Sequence, residues 1–199
     1  MFKQIVLSTT LLFSFSVKAQ YASGTYVLKQ NPTKVETGNL AINDLRLRVK
    51  ADNGRITAFK ANEVVYVENG KGKRLVPAQD FYKHQLAFSK QKKAVFVELL
   101  DSGRLWLMQY EYTTPTGFGP NGLAGGAANI YLVRPEGSAE VTTLPPYTWI
   151  NKGNKLRETL RAYISDRPDL IAVVNDGAFQ ELDLPTLFRA INSGQPYTK

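Results

Sequence analysis

The sequence predicts an α+β protein: an antiparallel β-rich body, built as a sheet, roll or partial barrel, with a C-terminal helical segment packed on it. Three observations carry this expectation. Between Thr25 and Val76, short apolar runs are separated by turn signals about every ten residues. Two apolar runs rich in β-branched and aromatic residues flank Asp101-Ser102-Gly103, the pattern of a hairpin. From Leu156 onward the apolar period changes, with Leu156, Leu160, Tyr163 and Ile164 on one helical face.

The chain of 199 residues begins with Met1-Phe2-Lys3, followed by an apolar run from Ile5 to Val17 and a small-residue site at Val17-Lys18-Ala19. This is the pattern of a secretory signal peptide over residues 1–19, too short and too rich in Ser and Thr for a membrane span. The exported chain would then start near Gln20 and form one domain over residues 20–199, periplasmic or extracellular, with no transmembrane span. There is no cysteine, which excludes a disulfide framework, a thiolate metal site and an acylated N-terminal Cys. A domain of about 180 residues buries enough surface to fold without such staples.

Strands are expected at Thr25–Lys29 and Val35–Leu40. Strict alternation in Leu45-Arg46-Leu47-Arg48-Val49-Lys50 puts the aliphatic residues on a core face and the cations in solvent. Asp52-Asn53-Gly54 turns the chain into Ile56–Phe59. Val64–Glu68 follows, then a turn at Asn69-Gly70 and a short arm at Leu75-Val76 before Pro77. A strand is expected near Gln85–Ser89, leading to the central hairpin. In its second arm Trp106, Met108, Tyr110 and Tyr112 share one face, with Gln109 and Glu111 on the other. The first arm is apolar on both faces except at Glu98, so it should be covered on both sides. Gly103 is expected where the turn needs a positive φ.

Thr113–Asn129, with two prolines and five glycines, reads as a long loop or a pair of loose turns. Ile130–Val133 is a strand candidate, and Glu140–Leu144 is either its partner or an irregular run into Pro145-Pro146. Pro145-Pro146 marks the boundary to the helical part, about residues 153–195. There Asp166-Arg167-Pro168 stops the first helix, and Asp169 is expected to cap a short second one ending near Asp176-Gly177. Leu184, Leu187, Phe188 and Ile191 line a last helix that starts near Asp183 and ends at Ser193-Gly194.

The phrase Leu160-Arg161-Ala162-Tyr163-Ile164-Ser165-Asp166-Arg167-Pro168, with Phe179 and Leu187-Phe188-Arg189-Ala190-Ile191-Asn192, resembles the end of a loose group of uncharacterised secreted Bacteroidota proteins. The resemblance covers the tail, then the hairpin, and the first seventy residues only in outline. It implies export, a β-rich body and a short helical tail, and brings no assigned chemistry. The sequence departs from that group at Ile191, where an aromatic residue is usual.

Removing Lys3 and Lys18 from the 25 basic residues leaves 23 against 17 acidic ones, a moderately basic balance compatible with anionic envelope polymers or headgroups. The cations cluster only at Lys71-Gly72-Lys73-Arg74 and Lys90-Gln91-Lys92-Lys93, both at expected turns. A nucleic-acid role conflicts with an export signal. Gly117-Phe118-Gly119-Pro120-Asn121-Gly122 has dinucleotide-fingerprint spacing, but Pro120 lies inside it and no helix opening follows, so it reads as loop. His84 is the single histidine. No nucleophile elbow accompanies it, and one imidazole with carboxylates makes a poor zinc site.

Glu98 and Glu111 are the candidate acid–base carboxylates of a glycoside hydrolase, since both lie in apolar strands of one hairpin. The plainer reading pairs each with a cation across the sheet. Tyr110, Tyr112 and Phe118 run into the Gly-rich loop and Tyr147 and Trp149 follow Pro145-Pro146, as candidate contact aromatics for a glycan or an envelope protein. Without a catalytic set, a cofactor motif or a metal site, the leading expectation is a non-catalytic envelope or secreted binding module. A carboxylate hydrolase of envelope glycans and an anionic-polymer binder using the two basic turns stand as alternatives.

Overall fold

A computed structural model describes residues 20–83, 90–113, 127–146 and 153–198. The leader, His84, the strand expected at Gln85–Ser89, the Gly117–Gly122 motif, Phe118, Tyr147 and Trp149 lie outside the described residues. Where apolar and polar residues alternate, strands form: β1 (Ala22–Leu28), β2 (Glu36–Ile42), β3 (Arg46–Lys50), β4 (Ile56–Lys60), β5 (Val64–Asn69), β6 (Arg74–Ala78), β7 (Phe81–Tyr82), β8 (Lys90–Gln91), β9 (Val95–Asp101), β10 (Leu105–Thr113), β11 (Ala127–Pro135) and β12 (Thr142–Thr143). Three helices follow: α1 (Asn154–Tyr163), α2 (Pro168–Asn175) and α3 (Leu184–Ser193). The expected α+β class is observed, with one antiparallel sheet of ten strands in the order β12-β11-β10-β9-β6-β5-β1-β2-β3-β4 and a small β7-β8 pair.

Several boundaries differ from expectation, each for a physical reason. The stretch read as a loop contributes to both arms of a long ladder: Thr113 ends β10, and Ala127 to Asn129 open β11, paired from Leu105↔Pro135 to Thr113↔Ala127. Pro77 does not end β6. It pairs with Phe96, whose N–H is spent on Asp44 O at 2.7 Å. The Pro77–Phe96 pair is therefore one of the ladder's non-bonded pairs, where a missing N–H costs nothing. Asp169 does not cap α2. Pro168 occupies the first turn, and the Asp169 carboxylate is held by Arg167 at 2.7 and 2.9 Å. Asp183 caps the 3₁₀ turn Glu181–Asp183 by accepting from Gln180 N–H at 2.9 Å.

The sheet curls back on itself. A flat sheet would set β2 four strand spacings from β9, about 19 Å. Yet the β2–β3 turn reaches both β9 and β10, because Asp44 accepts from Phe96 N–H and, through Oδ2, from Tyr110 OH at 2.8 Å. Curling divides the interior into three apolar clusters. The first joins Leu105, Leu107 and Val133 of the sheet to Leu156, Leu160, Leu170, Leu187 and Phe188 of the helices. The second lies on the opposite face of β9–β11 around Val95, Val97, Met108, Tyr110 and Leu132. The third fills the curl, with Tyr26, Leu40, Leu47, Val67 and Phe96. As expected, β9 is covered on both faces, since Val95 and Val97 enter one cluster and Phe96 another.

Helices of eight to ten residues are marginal alone and depend on docking. The dock is built on the β9–β10 turn. Asn192 Nδ2 donates to Asp101 Oδ1 at 2.6 Å and to Leu105 O at 2.8 Å, while Asn192 Oδ1 accepts from Leu105 N–H at 3.0 Å. The side chain thus imitates a neighbouring strand for one residue of β10. Arg104 adds an ion pair to Asp166 at 2.7 Å, and Arg167 reaches Ala190 O and Gln195 O at 3.3 and 3.0 Å. Gly103 is needed here for space and not for a positive φ: a Cβ would lie 2.8 Å from both Cβ and Cγ of Asn192. Positive φ is used in the β3–β4 turn instead, at Gly54 (φ 80°), as its Asn-Gly signal predicts.

Asn192→Ala leaves the N–H and C=O of Leu105 unpartnered and should cost about 2–4 kcal/mol in urea unfolding. Gly103→Ala should cost about 1–3 kcal/mol in the native chain and distinctly less in an Asn192→Gly background, which removes the Cβ and Cγ it would meet. Equal costs in both backgrounds would show that the two residues do not meet.

Candidate functional site

The alternation of β10 gives the site its origin. Leu105 and Leu107 point under the helices; Gln109 and Glu111 follow on the same face beyond the helical cover. Across the ladder Gln109 is paired with Glu98 of β9, and Glu98 with Leu75 of β6. Glu98 and Glu111 are therefore diagonal neighbours on one face, with Cα atoms about 7–8 Å apart. The β2–β3 turn, drawn in by the curl, closes the other side with Asp44. The result is a cleft of about 330 Å³ whose lining includes Asp44, Lys73, Glu98, Gln109, Tyr110 and Glu111 over apolar ground from Leu75 and Phe96.

Two of its carboxylates are oriented by a neighbour, Glu98 by Lys73 and Asp44 by Tyr110. Lys73 Nζ donates to Glu98 Oε2 at 2.7 Å, from a lysine side chain 55% exposed to a glutamate 27% exposed. The hydrogen bond and the charge of Glu98, with a smaller contribution from Glu111, raise the Lys73 ammonium above its ordinary pKa. Tyr110 holds Asp44, and burial, then the hydrogen bond and charge of Asp44, push its phenol far above the ordinary value of 10.0. Asn69 Oδ1 accepts from Lys71 N–H and Lys73 N–H at 3.0 and 3.1 Å and so shapes the turn that presents Lys73. Three carboxylates against one ammonium make this an acidic spot on a basic chain.

Of the residues singled out in the sequence, Glu98 and Glu111 come together in this cleft. Tyr110 also lines it and holds Asp44 through its hydroxyl. Tyr110 is not an exposed contact aromatic: it is 4% exposed and packs edge-on against Phe81 at 5.5 Å. Tyr112 is half-buried and stacks on Tyr110 at 6.5 Å, as part of the second cluster. Both face the core because alternation along β10 puts them on the face of Met108, which the second cluster covers. Asp44 and Lys73 were missed as site residues. Local sequence marks them only as turn residues, and the curl that brings Asp44 to β10 is non-local. The basic turns are less available than they read, since Lys73 pairs with Glu98, Arg74 with Glu68 at 2.9 Å and Lys92 with Asp80 at 3.3 Å.

A larger hollow of about 800 Å³ runs over β1 and β2, lined mostly by small residues such as Gly24, Thr25 and Gly38, with Lys50, Asp52 and Glu68 as its charged groups. Among the described residues no group of three or more His, Asp or Glu could hold a metal ion, and no helix is long and apolar enough to cross a membrane. Comparison of the chain with protein-family models, with curated proteins and with solved structures gives no match.

A phenol with a raised pKa in the folded state stabilises fully below the unfolded value, and that stabilisation drains as pH rises through the folded value. Stability should therefore fall with pH above about pH 10. Tyr110→Phe should cost about 1–3 kcal/mol at neutral pH and flatten this alkaline limb, read by denaturant titration beside phenolate absorbance. An unchanged alkaline limb would show that Tyr110 does not control it.

Proposed function

We propose that the protein is an exported, non-catalytic binding module of the cell envelope or its surroundings, and that the acidic cleft takes a hydroxyl-rich ligand such as a glycan segment. The observation that carries this reading is the convergence of Asp44, Glu98, Gln109 and Glu111 on one small cleft, with Asp44 and Glu98 already fixed by Tyr110 and Lys73. Carboxylates are acceptors, an amide both donates and accepts, and sugar hydroxyls supply matching donors. Groups held by rigid strands lose little freedom on binding. With its Oε2 engaged by an ammonium, Glu98 suits an acceptor better than a general acid, which favours binding over hydrolysis.

The export part of the reading rests on residues 1–19, and it agrees with the resemblance to secreted Bacteroidota proteins. Phe118 is one of the aromatic contacts of this reading. Tyr147 and Trp149 are the further aromatic contacts of this reading. A second reading, hydrolysis of envelope glycans, is favoured by one observation, that Glu98 and Glu111 line the same cleft.

Calorimetric titration of envelope glycan fragments should show binding that Glu98→Gln and Glu111→Gln each weaken about tenfold, equivalent to about 1.4 kcal/mol, with no cleavage products. Turnover by the native chain that Glu98→Gln abolishes would replace this reading by the hydrolase. Absence of binding across a broad glycan panel would remove both. N-terminal sequencing of chain recovered outside the cytoplasm should begin near Gln20, and an intact Met1 would overturn the export assignment.

A further inference from the structure

β4 ends the sheet: it pairs with β3, and among the described residues no strand lies on its other side. The direction of its backbone follows from two hydrogen bonds. Ala51 N–H donates to Arg55 O and Ala61 N–H to Leu45 O, both at 2.9 Å. In an antiparallel ladder bonded and non-bonded pairs alternate, so Arg46–Lys60, Arg48–Ala58 and Lys50–Ile56 are the non-bonded pairs. The N–H and C=O of Ile56 and Ala58 therefore point outward, away from β3. The Lys60 N–H, which points the same way, is taken by Glu63 Oε2 at 2.6 Å. Ile56 is 54% exposed and Ala58 is exposed, so this edge is open to solvent.

The same register builds a ladder of cations. Arg46, Arg48, Lys50 and Lys60 share one face and all are exposed. Arg46 and Lys60 oppose each other in a close, non-bonded pair, an arrangement of like charges that destabilises a sheet. Unlike Lys73, Arg74 and Lys92 of the basic turns, none of the four is in an ion pair among the described residues. Arg48 stands beside Ala58, whose methyl group leaves its guanidinium a path over β4 toward the edge.

We propose that the β4 edge binds an extended peptide segment of a partner protein that carries acidic residues at alternate positions. Such a strand would add to the sheet through Ile56 and Ala58, as in other strand-addition complexes. Its side chains on the cation face recur about every 6.7 Å, the spacing of Arg46, Arg48 and Lys50 along β3. Edge cations ordinarily deter pairing; here they deter strands of the same sign. A second copy of this chain, paired β4 to β4, would set two cation ladders side by side. An acidic strand would neutralise the ladder and relieve the Arg46–Lys60 repulsion. This surface is separate from the acidic cleft, so failure of glycan binding leaves the proposal standing, and the reverse holds equally.

The probe is an eight-residue peptide of alternating Thr and Glu, compared with one of the same composition whose glutamates are contiguous. The alternating peptide should bind, should protect the Ile56 and Ala58 amides from exchange, and should weaken as ionic strength rises. Ala58→Pro removes an outward N–H without touching the β3 ladder and should lower affinity roughly tenfold or more at an unchanged Tm. Should Ala58→Pro lower Tm, Arg48→Glu serves instead, with the same loss expected. Equal affinity for the two peptides, or binding without amide protection at Ile56 and Ala58, would overturn strand addition. So would binding of a sulfated glycan or anionic vesicles in place of the peptide, which would make the ladder a plain polyanion surface.

Discussion

Asn192 is a helical side chain that does the work of a strand. By accepting from Leu105 N–H and donating to Leu105 O and Asp101 Oδ1, it satisfies backbone groups that the end of β10 would otherwise leave to solvent or bury unpaired. α3 is thereby fixed in distance and rotation over the sheet. The neighbouring links from Arg104 to Asp166 and from Arg167 to Ala190 O fix the chain between α1 and α2 to the same point. Once this contact is made, the apolar faces of three short helices meet Leu105, Leu107 and Val133 in register. Gly103 permits the approach by having no side chain.

The second constraint is the curl of the sheet, held where Asp44 accepts from Phe96 N–H and Tyr110 OH. The cleft exists because the helices cover only the first part of β10 and the curl covers only its far side. Between the two covers, the same alternation that buries Leu105 and Leu107 leaves Gln109 and Glu111 accessible beside Glu98. Packing geometry and site geometry therefore have one cause.

The distribution of charge follows the register as well. Three cations of the basic turns, Lys73, Arg74 and Lys92, are consumed in ion pairs with Glu98, Glu68 and Asp80. Such exposed pairs stabilise little, but they remove charge from the surface. On β3 and β4 every cation of one face meets another cation or a neutral residue across the ladder. That face therefore carries four exposed cations outside any ion pair among the described residues, at the edge of the sheet.

Much of the body was legible in the sequence. Alternation and turn residues are local properties, so nearly every strand up to β6, the central hairpin with its two faces, the helical faces and the α+β class follow from residue order and period. Glu98 and Glu111 were legible as candidates because a carboxylate in an apolar strand is conspicuous. Local patterns carry no information about long-range pairing, and there the reading stopped. The insertion of β1 between β5 and β2, the continuation of β10 and β11 into a stretch rich in Gly and Pro, the burial of Tyr110 and Tyr112, and the arrival of Asp44 beside Tyr110 depend on which strand lies next to which. Only the tertiary structure decided whether a cation would find an acid across the sheet, because that partner is set by register. Sequence by itself determined the elements and their buried faces; the fold determined which of those faces met, and so where the cleft and the open edge lie.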